Sequence, residues 1–280
     1  MAVLLEGRPV AERIKQQLKQ QIMELDVKPV LASIQVGDNN ASEIYIKNQK
    51  KIAESLGVDY RLFKLDSKIL ESELIEFIQE LNLNNSIHGI IIQLPLPSQI
   101  DYKNIIHCIH PKKDVEGLHP ENMGRIIFGK ARVLPCTPSA VMELLKQTGV
   151  DLYGKEVVVV GHSEIVGKPL ALLLLDKFAT TTICHIATSC AGKLEEHVRQ
   201  AEILVVAVGR ANLIKGDWIK EGSVVIDVGI NKVGQIIVGD VEFEEAFKRA
   251  SWITPVPGGV GPLTTTLLMR NLIEAVKMQL

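Results

Sequence analysis

Residues 157–160, four valines, run straight into Gly161-His162-Ser163-Glu164-Ile165-Val166-Gly167-Lys168-Pro169. A buried strand that turns through small residues into a helix lets the backbone approach a pyrophosphate, whose charge the helix N-terminus favours. The spacing departs from G-x-G-x-x-G, because Ser163 and Val166 stand in place of two glycines. Gly209, after Val205-Val206-Ala207-Val208, and Gly229, in Asp227-Val228-Gly229-Ile230, each follow a strand-like run. Open α/β sheets bind ligands at such positions, although each glycine alone also reads as an ordinary strand-ending turn. The run Thr181-Thr182-Ile183-Cys184-His185 lacks the terminal acid that commonly holds an NAD ribose, which leaves the cofactor type open.

His107-Cys108-Ile109-His110, and Cys184-His185 with Cys190, lack the paired spacing of a structural zinc site. They read as local histidines and buried thiols, and no metal is expected. Cys136 has no evident base beside it and no nucleophilic role is assigned to it.

The elements that must carry these groups alternate between strand and helix patterns. Strands are expected over residues 30–36, 60–65 and 89–92, with helices over 42–56, ended by Gly57, and 72–81. The rhythm breaks at Leu134-Pro135-Cys136-Thr137-Pro138-Ser139. A helix over 139–148 then opens a second run, with strands at 156–160, 181–185, 203–207, 224–227 and 252–254 and a last helix at 262–276. Such alternation predicts an α/β fold with mostly parallel sheets.

With 280 residues the chain has room for two domains. Its formal charge of −2, with both signs spread along it, excludes the basic footprint of a nucleic-acid binder. The start Met1-Ala2-Val3-Leu4-Leu5-Glu6 does not read as a signal peptide, and the apolar run 170–175 is far short of the ~20 residues that span a bilayer. The four cysteines form no disulfide framework. The expectation is a cytoplasmic protein without nucleic-acid or membrane partners.

Three segments carry a family resemblance: Gln93-Leu94-Pro95-Leu96-Pro97, Pro135-Cys136-Thr137-Pro138 and Pro255-Val256-Pro257-Gly258-Gly259-Val260-Gly261-Pro262. Together with Ser42-x-x-Tyr45 and the 161–169 turn, the chain resembles the bifunctional methylenetetrahydrofolate dehydrogenase/cyclohydrolases over nearly its whole length. The resemblance implies an N-terminal folate-binding catalytic domain, residues 1–138, with the C-terminal helix 262–280 packing back on it. It implies a Rossmann-type dinucleotide-binding domain over 139–261, folate in the cleft between the two, and a homodimer formed through the Rossmann domains. The implied chemistry is oxidation of methylenetetrahydrofolate to methenyltetrahydrofolate with NADP or NAD, then hydrolysis to 10-formyltetrahydrofolate.

By motif position, Tyr45 would stack on the folate rings, and Ser42 and Gln93 would support the catalytic position. Asp114 and Glu116 would bind the pterin, and Pro257, Gly258, Gly259 and Val260 would line the folate. The implied cofactor contacts are Thr137, Gly161, His162, Ser163, Ile165, Val166, Ile186, Gly209, Gly229, Ile230 and Thr264. A shikimate-dehydrogenase-like oxidoreductase would leave the Pro-Gly-Gly-Val-Gly-Pro segment and the tyrosine helix unexplained.

The chain departs from the family where it matters most. The family's catalytic lysine lies four residues after the tyrosine, and here that residue is Gln49. On a helix Ser42, Tyr45 and Gln49 fall within a face roughly 60° wide, whereas Lys50 and Lys51 point about 100° and 200° away from Gln49. Glutamine hydrogen-bonds but cannot exchange a proton near neutral pH. Hydride transfer chiefly needs positioning, whereas hydrolysis moves protons at each stage, so the expectation is a dehydrogenase with weakened cyclohydrolase. Glu116 replaces an aspartate and Ala140 a glycine. His162 and Ile186 replace residues that, in relatives preferring NADP, often hold its 2′-phosphate, which points to NAD or dual use.

Overall fold

The computed structural model describes residues 1–280, the side chains of Asn40 and Ala41 excepted. In chain order it opens with β1 (Val3–Leu4), α1 (Gly7–Met23), β2 (Val30–Val36), α2 (Asn40–Leu56), β3 (Asp59–Leu65), α3 (Glu71–Leu83) and β4 (Gly89–Ile92). Then come α4 (Tyr102–Cys108), α5 (Pro120–Ile127), α6 (Cys136–Thr148), β5 (Glu156–Val160), α7 (Gly167–Leu175) and β6 (Thr180–Cys184). They are followed by α8 (Ile186–Cys190), α9 (Leu194–Gln200), β7 (Ile203–Val206) and β8 (Val224–Asp227). The order ends with β9 (Asn231–Val233), β10 (Ile236–Val238), α10 (Phe243–Arg249), β11 (Trp252–Ile253) and α11 (Gly261–Gln279). Two compact units result: Met1–Glu12 with Thr137–Thr264, and Arg13–Cys136 with Thr265–Leu280.

The second of these units is built on a parallel sheet in the order β3-β2-β4. As the central strand, β2 is buried along its whole length, and Val30, Ala32, Ile34 and Val36 enter a core with Leu74, Ile78, Ile90, Ile92 and Ile105. Alternation puts Ser33 and Gln35 on the opposite face. Lys113, almost fully buried, donates to the carbonyls of Leu81, Asn82 and Asn84 and so closes the end of α3. Asn271 of α11 donates to the carbonyls of Val115 and Leu134.

The other unit holds a six-stranded, all-parallel sheet in the order β1-β11-β8-β7-β5-β6. The valines of β5 are buried, as a strand covered on both faces requires. From β5 the chain adds β6 on one side and β7 on the other, which makes a topological switch point at the carboxyl end of β5. Residues 1–12, placed by sequence in the first domain, belong with this sheet, because β1 pairs with β11 and Gly7 N donates to Gly258 O. The helix expected from residue 139 starts at Cys136, with Pro138 in its first turn, where a missing N–H costs nothing.

Candidate active site

On the sheet face that bears Ser33, four polar side chains meet beneath α2. Gln49 is 7% exposed, and its Oε1 accepts from Tyr60 Oη at 3.0 Å and from Gln93 Nε2 at 2.8 Å. Gln93 Nε2 also donates to Ser33 Oγ at 2.9 Å. Parallel register explains the meeting. Tyr60 pairs with Leu31, two residues before Ser33, and Gln93 follows Ile91, the partner of Ser33 on the other side. Burial pushes the Tyr60 phenol up to about 12, its hydrogen bond with Ser33 acting in the other direction, so the hydroxyl stays a donor.

Tyr45, one helical turn before Gln49, is half exposed and presents its ring to the surface. Lys50 is exposed and faces Glu54, and Lys51 is exposed as well, so neither takes the place of residue 49. Ser42 departs from expectation. Its hydroxyl donates to Asn39 O at 2.9 Å, inside the turn that starts α2, as serines at helix starts commonly do. The serine of the cluster is Ser33 instead.

Asp114 and Glu116 divide their tasks. Asp114 is fully buried, with Oδ1 accepting from the amides of Glu116 (3.1 Å) and Gly117 (2.9 Å) and Oδ2 from His119 N and Asn122 Nδ2, both at 2.9 Å. With both oxygens engaged, it shapes the turn. Gly117 sits at φ 72°, and a Cβ there would run into the backbone of Leu134 and Pro135. Glu116 is the carboxylate the turn presents. Burial, and then Asp114, push its pKa up to about 8. Burial, and after it the same two acids, raise the Tyr102 phenol, whose hydroxyl is buried without a partner, and the Cys136 thiol.

In the other unit a cavity of about 350 Å³ opens at the carboxyl ends of β5, β6 and β7. Gly161, His162, Ser163 and Ile186 line it, as the sequence leads one to expect. Sequence reading missed His185 and Arg210, which also line it. The His162 and His185 rings lie 5.3 Å apart. Gly161 takes φ 120°, and a Cβ on Gly167 would overlap Gly161 O, so strand and helix approach as a phosphate turn requires. Ser163 Oγ accepts from Val166 N at 3.1 Å and pins that turn. Ile165, Ile186 and Ile230 are exposed. A dinucleotide fits this arrangement: small residues at the turn, an apolar floor from Leu194, Ala207 and Leu213, and a polar rim.

Elsewhere in that unit Gly258 has φ 117°, Gly259 N donates to Pro255 O, and Val260 is buried. Thr264 Oγ1 donates to Gly261 O, and Thr137 sits half-buried in the first turn of α6. Gly209 (φ 65°) turns its amide inward to Asp240, as do its neighbours, and Gly229 N donates to Asp227.

A family model described as the tetrahydrofolate dehydrogenase/cyclohydrolase catalytic domain matches residues 5–116, and one for that family's NAD(P)-binding domain matches residues 135–280. The bifunctional protein FolD of Bacillus pumilus (strain SAFR-032) is 50% identical over 283 residues, covering 100% of this chain and 99% of the relative. A solved structure of the bifunctional FolD enzyme, methylenetetrahydrofolate dehydrogenase/cyclohydrolase, from Campylobacter jejuni matches at TM-score 0.96 and 44% identity, covering 100% of both chains. The Trypanosoma brucei methylenetetrahydrofolate dehydrogenase-cyclohydrolase, solved with NADP and an inhibitor, matches at TM-score 0.93 and 38% identity, covering 99% of this chain and 98% of that one.

Proposed function

Because the chain belongs to the tetrahydrofolate dehydrogenase/cyclohydrolase family, we propose that it oxidises 5,10-methylenetetrahydrofolate with NAD(P) and hydrolyses the methenyl product only weakly. The observation that carries this reading is the buried cluster at Gln49, where an acceptor oxygen occupies the position of the family's lysine. A nicotinamide dinucleotide supplies the hydride acceptor when bound. The chain's own task in that step is to hold the methylene carbon in place, which Tyr45 can do by stacking on the folate ring and Glu116 by hydrogen-bonding the pterin.

Hydrolysis makes a different demand. Water must lose a proton as it adds, and a ring nitrogen must gain one before the carbon–nitrogen bond breaks. A positioned acid–base group typically contributes ~10²–10⁴-fold. Gln49 and Gln93 cannot supply it, and the Tyr60 phenol holds its proton too tightly.

The cavity rim supports NAD or dual use. The Ile186 side chain offers a 2′-phosphate no hydrogen bond, His162 stands where relatives preferring NADP often carry arginine or serine, and Arg210 on the same lining keeps NADP use open. Cytoplasmic residence agrees with four free cysteines, and no helix among the described residues is long and apolar enough to cross a membrane. Pairing into a homodimer through the dinucleotide-binding unit belongs to the same proposal, with oligomeric state its test. The functional test is reduction of dinucleotide by purified protein given methylenetetrahydrofolate. Turnover with at least one of NAD and NADP is expected, and turnover with neither overturns the reading.

A further inference from the structure

In the dinucleotide-binding unit one buried carboxylate gathers donors from two separate segments, the 208–210 turn beside the cavity and the start of β9. Asp240 has no exposure, and its Oδ2 accepts from Val208 N at 2.7 Å and from Gly209 N at 2.9 Å. Its Oδ1 accepts from Arg210 N and from Asn231 Nδ2, both at 2.8 Å. The three consecutive amides form the turn after β7, whose residues Val208 and Arg210 line the cavity. Asn231 opens β9 directly after Gly229 and Ile230.

A second carboxylate supports the first. Asp227, 4% exposed, accepts from Gly229 N (2.9 Å), Asp240 N (3.0 Å) and Val241 N (2.8 Å), and its own amide donates to Thr254 Oγ1 at 2.8 Å. Cβ atoms at Gly229 and Gly239 would overlap the Asp240 and Asp227 carboxylates, so glycine is required at both places. Thr254 leads into the Pro255–Gly259 turn, whose Gly259 packs against it.

We propose that Asp240 is a positioning residue for the dinucleotide, setting the 207–210 turn and the 229–231 segment in one register through a shared carboxylate. Peptide N–H groups facing a cavity ordinarily cradle phosphate. Here the amides of residues 208–210 are engaged by Asp240, so the turn shows the cofactor its side chains, Arg210 among them. Movement of that carboxylate shifts both segments together. A purely structural role would move stability alone, whereas a positioning role separates dinucleotide binding from folate binding.

This inference rests on the reading that the cavity takes a dinucleotide, and the test separates the two. Titration of NAD and NADP into the wild-type protein comes first, and binding of neither overturns the functional reading and this inference with it. Asn231→Ala removes one bond to Asp240, together with a long one of 3.5 Å to Val238 O, and leaves the three amide bonds of Asp240 in place. The expected result is an unfolding temperature close to wild type, a rise in dinucleotide Kd and KM of about five- to ten-fold, and an unchanged folate KM. Asp240→Asn turns two donors toward donors and is expected to raise the dinucleotide KM by more than about 30-fold. Should Asp240→Asn fail to fold, Asn231→Ala decides alone. A folded Asn231→Ala with wild-type dinucleotide Kd and KM, or with folate KM raised equally, overturns the proposal.

Discussion

Substitution of lysine for Gln49 reverses the hydrogen-bonding polarity of a closed cluster. In the native chain Gln49 Oε1 accepts two bonds, from Tyr60 and from Gln93. An ammonium has three donors and no acceptor. To accommodate it, Tyr60 must turn its hydroxyl to accept, and the Gln93 amide must rotate to present its oxygen, breaking its bond to Ser33. Ser33 can then donate to that oxygen, so the count of bonds nearly balances. What does not balance is burial. Residue 49 is 7% exposed, and desolvation of a lysine there lowers its pKa toward neutrality, which suits a group that must both give and take a proton.

The expected outcome of Gln49→Lys has two parts. Stability falls by about 1–3 kcal/mol, read as a lower midpoint in thermal or denaturant unfolding. Hydrolysis of methenyltetrahydrofolate, followed above its spontaneous rate, rises at least ~100-fold, while dehydrogenase kcat changes less than about five-fold. The reasoning is refuted if the folded variant hydrolyses no faster than wild type, or if its dehydrogenase kcat rises or falls in step with hydrolysis.

Glu116, pushed up to about 8, is held neutral by the fold, so it contributes stability that is present below pH 4.5 and lost as pH rises from 4.5 through about 8. Glu116→Gln should flatten that slope, worth at most about 1.4 kcal/mol per pH unit, and an unfolding series across this window in which both proteins fall in parallel would contradict it. Gln35, 2% exposed, leaves both its amide nitrogen and oxygen without a partner, so Gln35→Met should raise stability by roughly 1–3 kcal/mol in denaturant unfolding. A destabilised variant would show that this amide is satisfied in solution. Gly167→Ala places a methyl against Gly161 O, and the turn must open. Dinucleotide KM should rise by about ten-fold or more with folate KM unchanged, and unaltered dinucleotide kinetics would remove the turn from the cofactor site.

How much of this was legible in the sequence depended on local signal. β4, β5 and β8 were read to the residue because continuous apolar runs suit strands buried on both faces. β1, two residues long, gives no periodicity, and its place beside β11 comes only from tertiary pairing. α1 has a legible pattern that the sequence analysis does not include: Val10, Ile14 and Leu18 recur at helical spacing and are all buried. In the site, Gln49, Tyr45 and Gln93 were reachable by pattern. Ser33 and Tyr60 were not, because they meet Gln49 through strand register, which one sequence does not display. Asp114 and Glu116 look alike in Asp114-Val115-Glu116-Gly117, and only the hydrogen bonds show that one builds the turn the other occupies. His185 and Arg210 needed the fold, since segments more than twenty residues apart bring them to the cavity, and Asp240 is reached only through its hydrogen bonds to the 208–210 turn.

In the proposed function this chain keeps hydride transfer and largely loses hydrolysis, because an acceptor oxygen sits where a proton-exchanging group is needed. One preparation of the unaltered protein tests it: initial rates of methylenetetrahydrofolate oxidation and of methenyltetrahydrofolate hydrolysis, each corrected for its spontaneous rate. Rapid oxidation is expected, with hydrolysis at least ~100-fold slower. Comparable enzymatic rates in the two assays would contradict it.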